Sequence, residues 1–164
     1  MPNDIIFASR AGIIITGENN SGKTVFLRSV GCAQLFFQAG LPIPAREARL
    51  RPRSAVYTRY AAAEKEFCAG NDAGRFEQEV RELAPLIESI KPDSLLLLNE
   101  IFQTTAYSEG AEGLYNILRY LSRRGASFIL VTHLRELLGS FGDDIVHMTT
   151  GEGYHISVCG RKDV

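Results

Sequence analysis

At 164 residues, with 45% hydrophobic and 23% charged residues, the chain has apolar material for one soluble domain with its own core. A net charge of −1 excludes an overall basic field that would draw it to nucleic acid or anionic lipid. Three cysteines (Cys32, Cys68 and Cys159), widely spaced and without a C-x-x-C pair, argue against a disulfide framework and a zinc site. They read as buried structural thiols in a reducing cytoplasm. No apolar run approaches the ~18 residues of a membrane span, and the N-terminus lacks a signal-peptide pattern. The expected organisation is a single domain over residues 1–164, cut from a longer protein.

In chain order, Ile5-Ile6-Phe7 reads as a first short strand and Gly12–Thr16 as a buried one, rich in β-branched residues. The loop Gly17-Glu18-Asn19-Asn20-Ser21-Gly22-Lys23-Thr24 follows, and a helical pattern fills 25–38. Residues 39–53 form a loop with Pro42, Pro44 and Pro52 and with Arg46, Arg49, Arg51 and Arg53. That cluster reads as a solvated loop or as a contact surface for a neighbouring domain or an acidic partner. A strand is expected over Ser54–Thr58 and a helix over 75–90, which Pro85 should kink or split. The apolar runs Ser94–Leu98 and Ser127–Thr132 show no alternation, so they belong in a sheet covered on both faces. A helix over 109–124 separates them, closed by Arg123-Arg124-Gly125. A short helix over 134–140 and strands over Ile145–Thr149 and Tyr154–Val158 complete an α/β fold with a mainly parallel central sheet.

The loop from Gly17 to Thr24 fits G-x-x-x-x-G-K-[ST], and it stands between a strand and a helix as the chemistry requires. Glycines let backbone N–H groups turn around phosphates, and the helix N-terminus adds positive potential. Gly17, Asn19, Asn20, Ser21, Gly22 and Lys23 are therefore expected to bind the phosphates of a nucleoside triphosphate, with the Thr24 hydroxyl on Mg²⁺. Hydrolysis needs a carboxylate at a nearby strand end. Glu100, after Leu95-Leu96-Leu97-Leu98-Asn99, is the expected residue for orienting or deprotonating water. Asn99 either supports Mg²⁺ through water or is a turn residue bonded to its own backbone. His133, at the end of the next apolar strand, is expected to act on the γ-phosphate or the water.

With these elements placed, the chain resembles the C-terminal ATPase domain of the DNA mismatch repair protein MutS family, an ABC-type P-loop NTPase domain. The resemblance is carried by Pro2-Asn3-Asp4-Ile5, Thr16 to Thr24, Pro44-Ala45, Tyr57-Thr58-Arg59, Asn99-Glu100-Ile101 and Val131-Thr132-His133, in order over about residues 1 to 140. It implies a homodimer in which each nucleotide lies between one subunit's phosphate loop and the other's signature segment. The matching segment is Gly74-Arg75-Phe76-Glu77-Gln78-Glu79-Val80, where Phe76 and Glu79 agree and Gly74 replaces a serine, so that Gly74 would meet phosphate in trans. Asn99, Gly74, Phe102 and Thr104 depart from the family pattern and imply a divergent member. The resemblance further implies a DNA-clamp cycle, with DNA held by N-terminal regions outside this chain and no membrane involved.

Two functions follow as expectations: a slow Mg²⁺-dependent ATPase, or a nucleotide-switched dimerisation module with little turnover. A membrane-transporter subunit is disfavoured because no L-S-G-G-Q string occurs, and a small-molecule kinase because nothing resembles a lid.

Overall fold

Unbroken apolar strands need cover on both faces, and a computed structural model gives them that cover. The structure describes residues 3–7, 11–60, 72–102 and 107–159, with 72–76 and 107–109 described as backbone only. The elements are β1 (Gly12–Thr16), α1 (Lys23–Gln38), β2 (Val56–Tyr60), α2 (Asp72–Ser89) and β3 (Leu95–Asn99). They continue as α3 (Tyr107–Arg123), β4 (Ser127–Val131), α4 (Glu136–Phe141), β5 (Ile145–Thr150) and β6 (Ile156–Val158). The strands form one mixed sheet in the order β2-β3-β4-β1-β5-β6, parallel throughout except for β6, which pairs antiparallel with β5.

Successive side chains of a strand point to opposite faces, and the sheet divides its apolar residues accordingly. Ile14, Leu96, Leu98, Phe128 and Leu130 pack on one face with Leu83 of α2, Leu114, Leu118 and Leu121 of α3, and Leu137 of α4. Ile13, Ile15, Leu95, Leu97, Ile129 and Val131 pack on the other, with Leu27 of α1 and with Met148 and Ile156 of the last two strands. Because β4 lies between β1 and β3, its register aligns Ile15, Val131 and Asn99 at one edge. Two further backbone bonds, Thr132 N–H to Ile15 O at 3.1 Å and Glu100 N–H to Val131 O at 2.9 Å, extend the ladder past the strand ends. That edge carries the polar residues.

Several boundaries differ from the sequence expectations. Ile5-Ile6-Phe7 forms no strand: Ile5 and Phe7 lean on the second apolar cluster while Ile6 is 70% exposed. Alternation there marks one packed face, without a ladder. The strand expected at Ser54 begins at Val56, since Ser54 instead bonds Asp93 O through its N–H and Pro92 O through its hydroxyl. Pro85 lies inside an α2 that is continuous from Asp72 to Ser89. At the end of α3, Ala126 N–H donates to Leu121 O and Gly125 N–H to Ser122 O, with Gly125 at φ 77. This is a glycine-closed helix terminus, as its sequence predicts.

Cys32 is exposed on α1, one residue past Gly31 on the buried face, so it is no core thiol. Cys159 is half-buried, and Cys68 lies outside the described residues. In the arginine-rich loop, Arg51 pairs with Asp93 at 3.1 Å and Arg53 donates to Ser127 Oγ at 3.2 Å, whereas Arg46 is exposed.

Candidate functional site

Between β1 and α1 the chain must reverse tightly around a small volume, and the backbone pays attention to residue type at two places. Gly17 has φ 144, and a Cβ there would lie 1.9 Å from Thr150 Oγ1. Gly22 has φ 86 at the helix N-cap, with the Tyr154 ring 3.1 Å from where a Cβ would stand. Only glycine fits both demands. Asn20, also left-handed at φ 59, is of a residue type that tolerates that region. Ser21 Oγ donates to Glu18 O at 2.7 Å and accepts from Thr150 Oγ1 at 2.8 Å, which ties the loop to the end of β5.

Lys23, the first residue of α1, is only 4% exposed. Its Nζ turns back over the loop and donates to Gly17 O at 2.9 Å and Glu18 O at 2.5 Å. Burial pulls the Lys23 ammonium below its usual range, and the Glu100 carboxylate opposes that shift. Beside it, Thr24 Oγ1 donates to Asn99 Oδ1 at 2.8 Å. Asn99, 9% exposed, therefore bonds across the sheet edge rather than to its own turn.

Glu100 follows in a left-handed conformation, φ 54, and its Oε1 lies 3.2 Å from His133 Nε2. The turn carrying His133 is fixed by the fully buried Thr132, whose hydroxyl accepts from Leu134 N–H at 3.1 Å. The Asn19–Val25 loop, Glu100, His133, Leu134 and Tyr154 enclose a cleft of about 800 Å³. Such a volume suits a nucleotide-sized ligand.

The MutS domain V family model matches residues 13–158, which span the strand before the loop, the Glu100 and His133 strand ends, and β6. The chain belongs to the MutS family. A DNA mismatch repair protein MutS of Granulibacter bethesdensis is 34% identical over 139 residues, 84% of this chain and 15% of that protein. An endonuclease MutS2 of Acetivibrio thermocellus is 32% identical over 126 residues, 76% of this chain and 16% of that protein. A MutS of Prochlorococcus marinus is 32% identical over 137 residues. The chain thus spans about 15% of the length of these curated relatives.

Within this MutS-family chain, Asn19, Asn20, Ser21, Gly22, Lys23, Thr24, Glu100 and His133 line one cleft. Gly17 contributes its carbonyl to Lys23, and Asn99 reaches Thr24. Gly74 stands in the first turn of α2, outside the described side chains, and Thr104 lies outside the described residues altogether. Among the described residues no cluster of three or more His, Cys, Asp or Glu is placed to hold a metal ion. The Thr24–Asn99 pair offers hard oxygen donors, which fit a Mg²⁺ ion that retains water and takes its remaining ligands from phosphate.

Tyr154, expected to open a strand, instead sits in a turn at φ 63, 64% exposed beside the glycine-rich loop. Asn3 fixes that turn from both sides, donating to Tyr154 O at 3.1 Å and accepting from Ile156 N–H at 2.8 Å. The Gly151-Glu152-Gly153 sequence was the available signal for the turn. No pattern linked it to Asn3, 151 residues away. Among the described residues no helix is long and apolar enough to cross a membrane.

Proposed function

We propose that this chain is an ATP-binding and ATP-hydrolysing domain, an ABC-type P-loop NTPase that works as a nucleotide-dependent homodimer in a DNA-clamp cycle. The observation that carries the reading is the convergence of Lys23, Thr24 and the Glu100–His133 pair on one cleft, with Asn99 bonded behind Thr24. Lys23 and the loop N–H groups hold the β- and γ-phosphates. Thr24 binds Mg²⁺ directly and Asn99 through water; the ion, when bound, neutralises charge on the phosphates. Glu100 orients the attacking water or accepts its proton, and His133 steadies the Glu100 carboxylate or meets the γ-phosphate. Phosphoryl transfer needs little else, because positioning and charge stabilisation supply most of its catalysis.

In this reading residues 1–164 are one cytoplasmic domain of a longer protein, and DNA is engaged by N-terminal regions outside it. The names of the MutS relatives support the DNA link. Gly74, in the first turn of α2, would offer its N–H to the partner subunit's nucleotide, since first-turn N–H groups lack intrahelical partners. Asn99 and Gly74, with Phe102 and Thr104, mark a divergent branch. A second reading, a nucleotide-switched dimer with negligible turnover, is favoured by Asn99 specifically, because an amide brings no charge to the metal.

ATP binding and turnover measured across a protein concentration series test both readings. Turnover per subunit that rises with concentration indicates a composite working site; binding without turnover indicates the switch. Glu100→Gln should bind ATP and not turn it over, and Lys23→Ala should bind none. Normal turnover in E100Q would refute the role given to Glu100.

A further inference from the structure

Residues 100 to 102 are held in an unusual backbone. Glu100 has φ 54 and Phe102 has φ 61, and neither is a residue that adopts the left-handed region readily. Such conformations cost of order 1 kcal/mol or more each and persist only where their surroundings over-determine them. On one side of the turn, Glu100 N–H is bonded to Val131 O of β4 at 2.9 Å. On the other, Phe102 has its ring fully buried and donates its N–H to Glu79 Oε2 at 2.6 Å.

Glu79 belongs to α2, so this bond joins that helix to the turn presenting Glu100. Burial pushes the Glu79 carboxyl above its usual range, while the Phe102 N–H and the Arg59 guanidinium favour its charged form and Glu82 opposes it. Arg59 of β2 itself pairs with Glu82, one turn further along α2, which fastens the helix to the sheet edge. A half-buried carboxylate placed on a backbone N–H makes a short, charge-assisted bond.

We propose that Glu79 is a positioning residue: through the Phe102 N–H it fixes the left-handed turn that aims Glu100, and so couples the Glu100 carboxylate to helix α2. This rests on the hydrolytic reading given above. Its consequence concerns the dimer. Gly74 precedes Glu79 by five residues, about 7.5 Å along the helix axis. A shift of α2 on meeting a partner's nucleotide is therefore transmitted towards Glu100 through the Glu79–Phe102 hydrogen bond.

The geometry ranks acceptor reach above charge, because a neutral oxygen left in place still bonds the Phe102 N–H, though more weakly than the charge-assisted carboxylate. Gln keeps the oxygen in place without charge; Asp keeps the charge and withdraws the oxygen by one methylene. In the full chain, Glu79→Asp and Glu79→Ala should lower kcat about a hundredfold with ATP affinity unchanged, while Glu79→Gln retains most activity. Amide hydrogen exchange at Phe102 should quicken about fivefold in E79D and E79A and stay near its original rate in E79Q. Retained turnover in E79D together with loss in E79Q would overturn the proposal, as would unchanged exchange at Phe102 in E79D. Should the unsubstituted chain bind ATP without hydrolysing it, the hydrolytic reading fails alone. The exchange pattern then decides the coupling, and the E79D and E79Q pair decides it even if E79A does not fold.

Discussion

Thr24 Oγ1 donates to Asn99 Oδ1 at 2.8 Å, joining the first turn of α1 to the last residue of β3. The amide satisfies the hydroxyl but leaves the pair neutral. Asn99→Asp keeps an acceptor for Thr24 and adds a negative charge within a water's breadth of the metal position. At ~5 Å, and with water-like screening, a single charge and a divalent cation attract by more than 1 kcal/mol, or about tenfold in affinity. The Mg²⁺ concentration giving half-maximal ATP binding should therefore fall about tenfold in N99D. An unmoved midpoint would remove Asn99 from the metal's surroundings.

His133 stands 3.2 Å from the Glu100 carboxylate, and both side chains are about one-third exposed or less. If His133 steadies that carboxylate or meets the γ-phosphate, its loss should act on turnover and on ATP more than on ADP. His133→Ala should lower kcat by about ten- to a hundredfold and leave ADP affinity unchanged. Equal weakening of ATP and ADP would instead give His133 a purely structural part in the cleft.

Gly12 faces Phe128 across the β1–β4 pairing, and a Cβ on Gly12 would lie 2.3 Å from the Phe128 ring. The ring is fully buried, so it must shift within the core to admit a Cβ. Gly12→Ala should cost about 1–3 kcal/mol through overpacking, read as a lower urea midpoint at unchanged slope. The same substitution should cost less in a Phe128→Leu background, because the smaller side chain vacates the space. Additive costs in the double variant would show that the two sites do not press on each other.

How far the site was legible follows from where each residue sits. Strand β1 runs from Gly12 to Thr16 as its apolar run predicts, and Asn99, Glu100 and His133 were legible because each interrupts or follows an unbroken apolar stretch. Parallel pairing then brings those strand ends to one edge. What stayed hidden depends on packing between distant elements. The Glu79–Phe102 bond spans 23 residues and exists only because α2 docks beside the end of β3. The Tyr154 turn needs Asn3, and the exposure of Cys32 depends on which face α1 turns to the sheet. Ile5 to Phe7 shows the converse: a short apolar run reports that the segment packs and cannot say whether a neighbouring strand is there to pair.

His147 of β5 gives the fold a titratable element. Its Nε2 lies 2.8 Å from Thr16 Oγ1, and its Nδ1 is buried without a hydrogen-bond partner among the described residues. Burial pushes its pKa below the ordinary histidine value, and the Arg135 charge adds to that effect. The unfolded chain therefore takes up a proton at this site near pH 6.5, while the folded chain does so only at lower pH. Between those values the unfolded state binds more protons, so stability falls as pH drops from about 6.5 and levels once the folded pKa is passed. His147→Gln keeps a polar group near Thr16 and removes the titration. Its urea midpoint should change less between pH 7.5 and 5.5 than that of the unsubstituted chain. Glu79, whose raised pKa makes the folded state bind more protons just above the usual carboxylate range, acts in the opposite direction. It is common to both chains and cancels in their difference. Parallel pH profiles for the two would show that His147 does not titrate differently on folding.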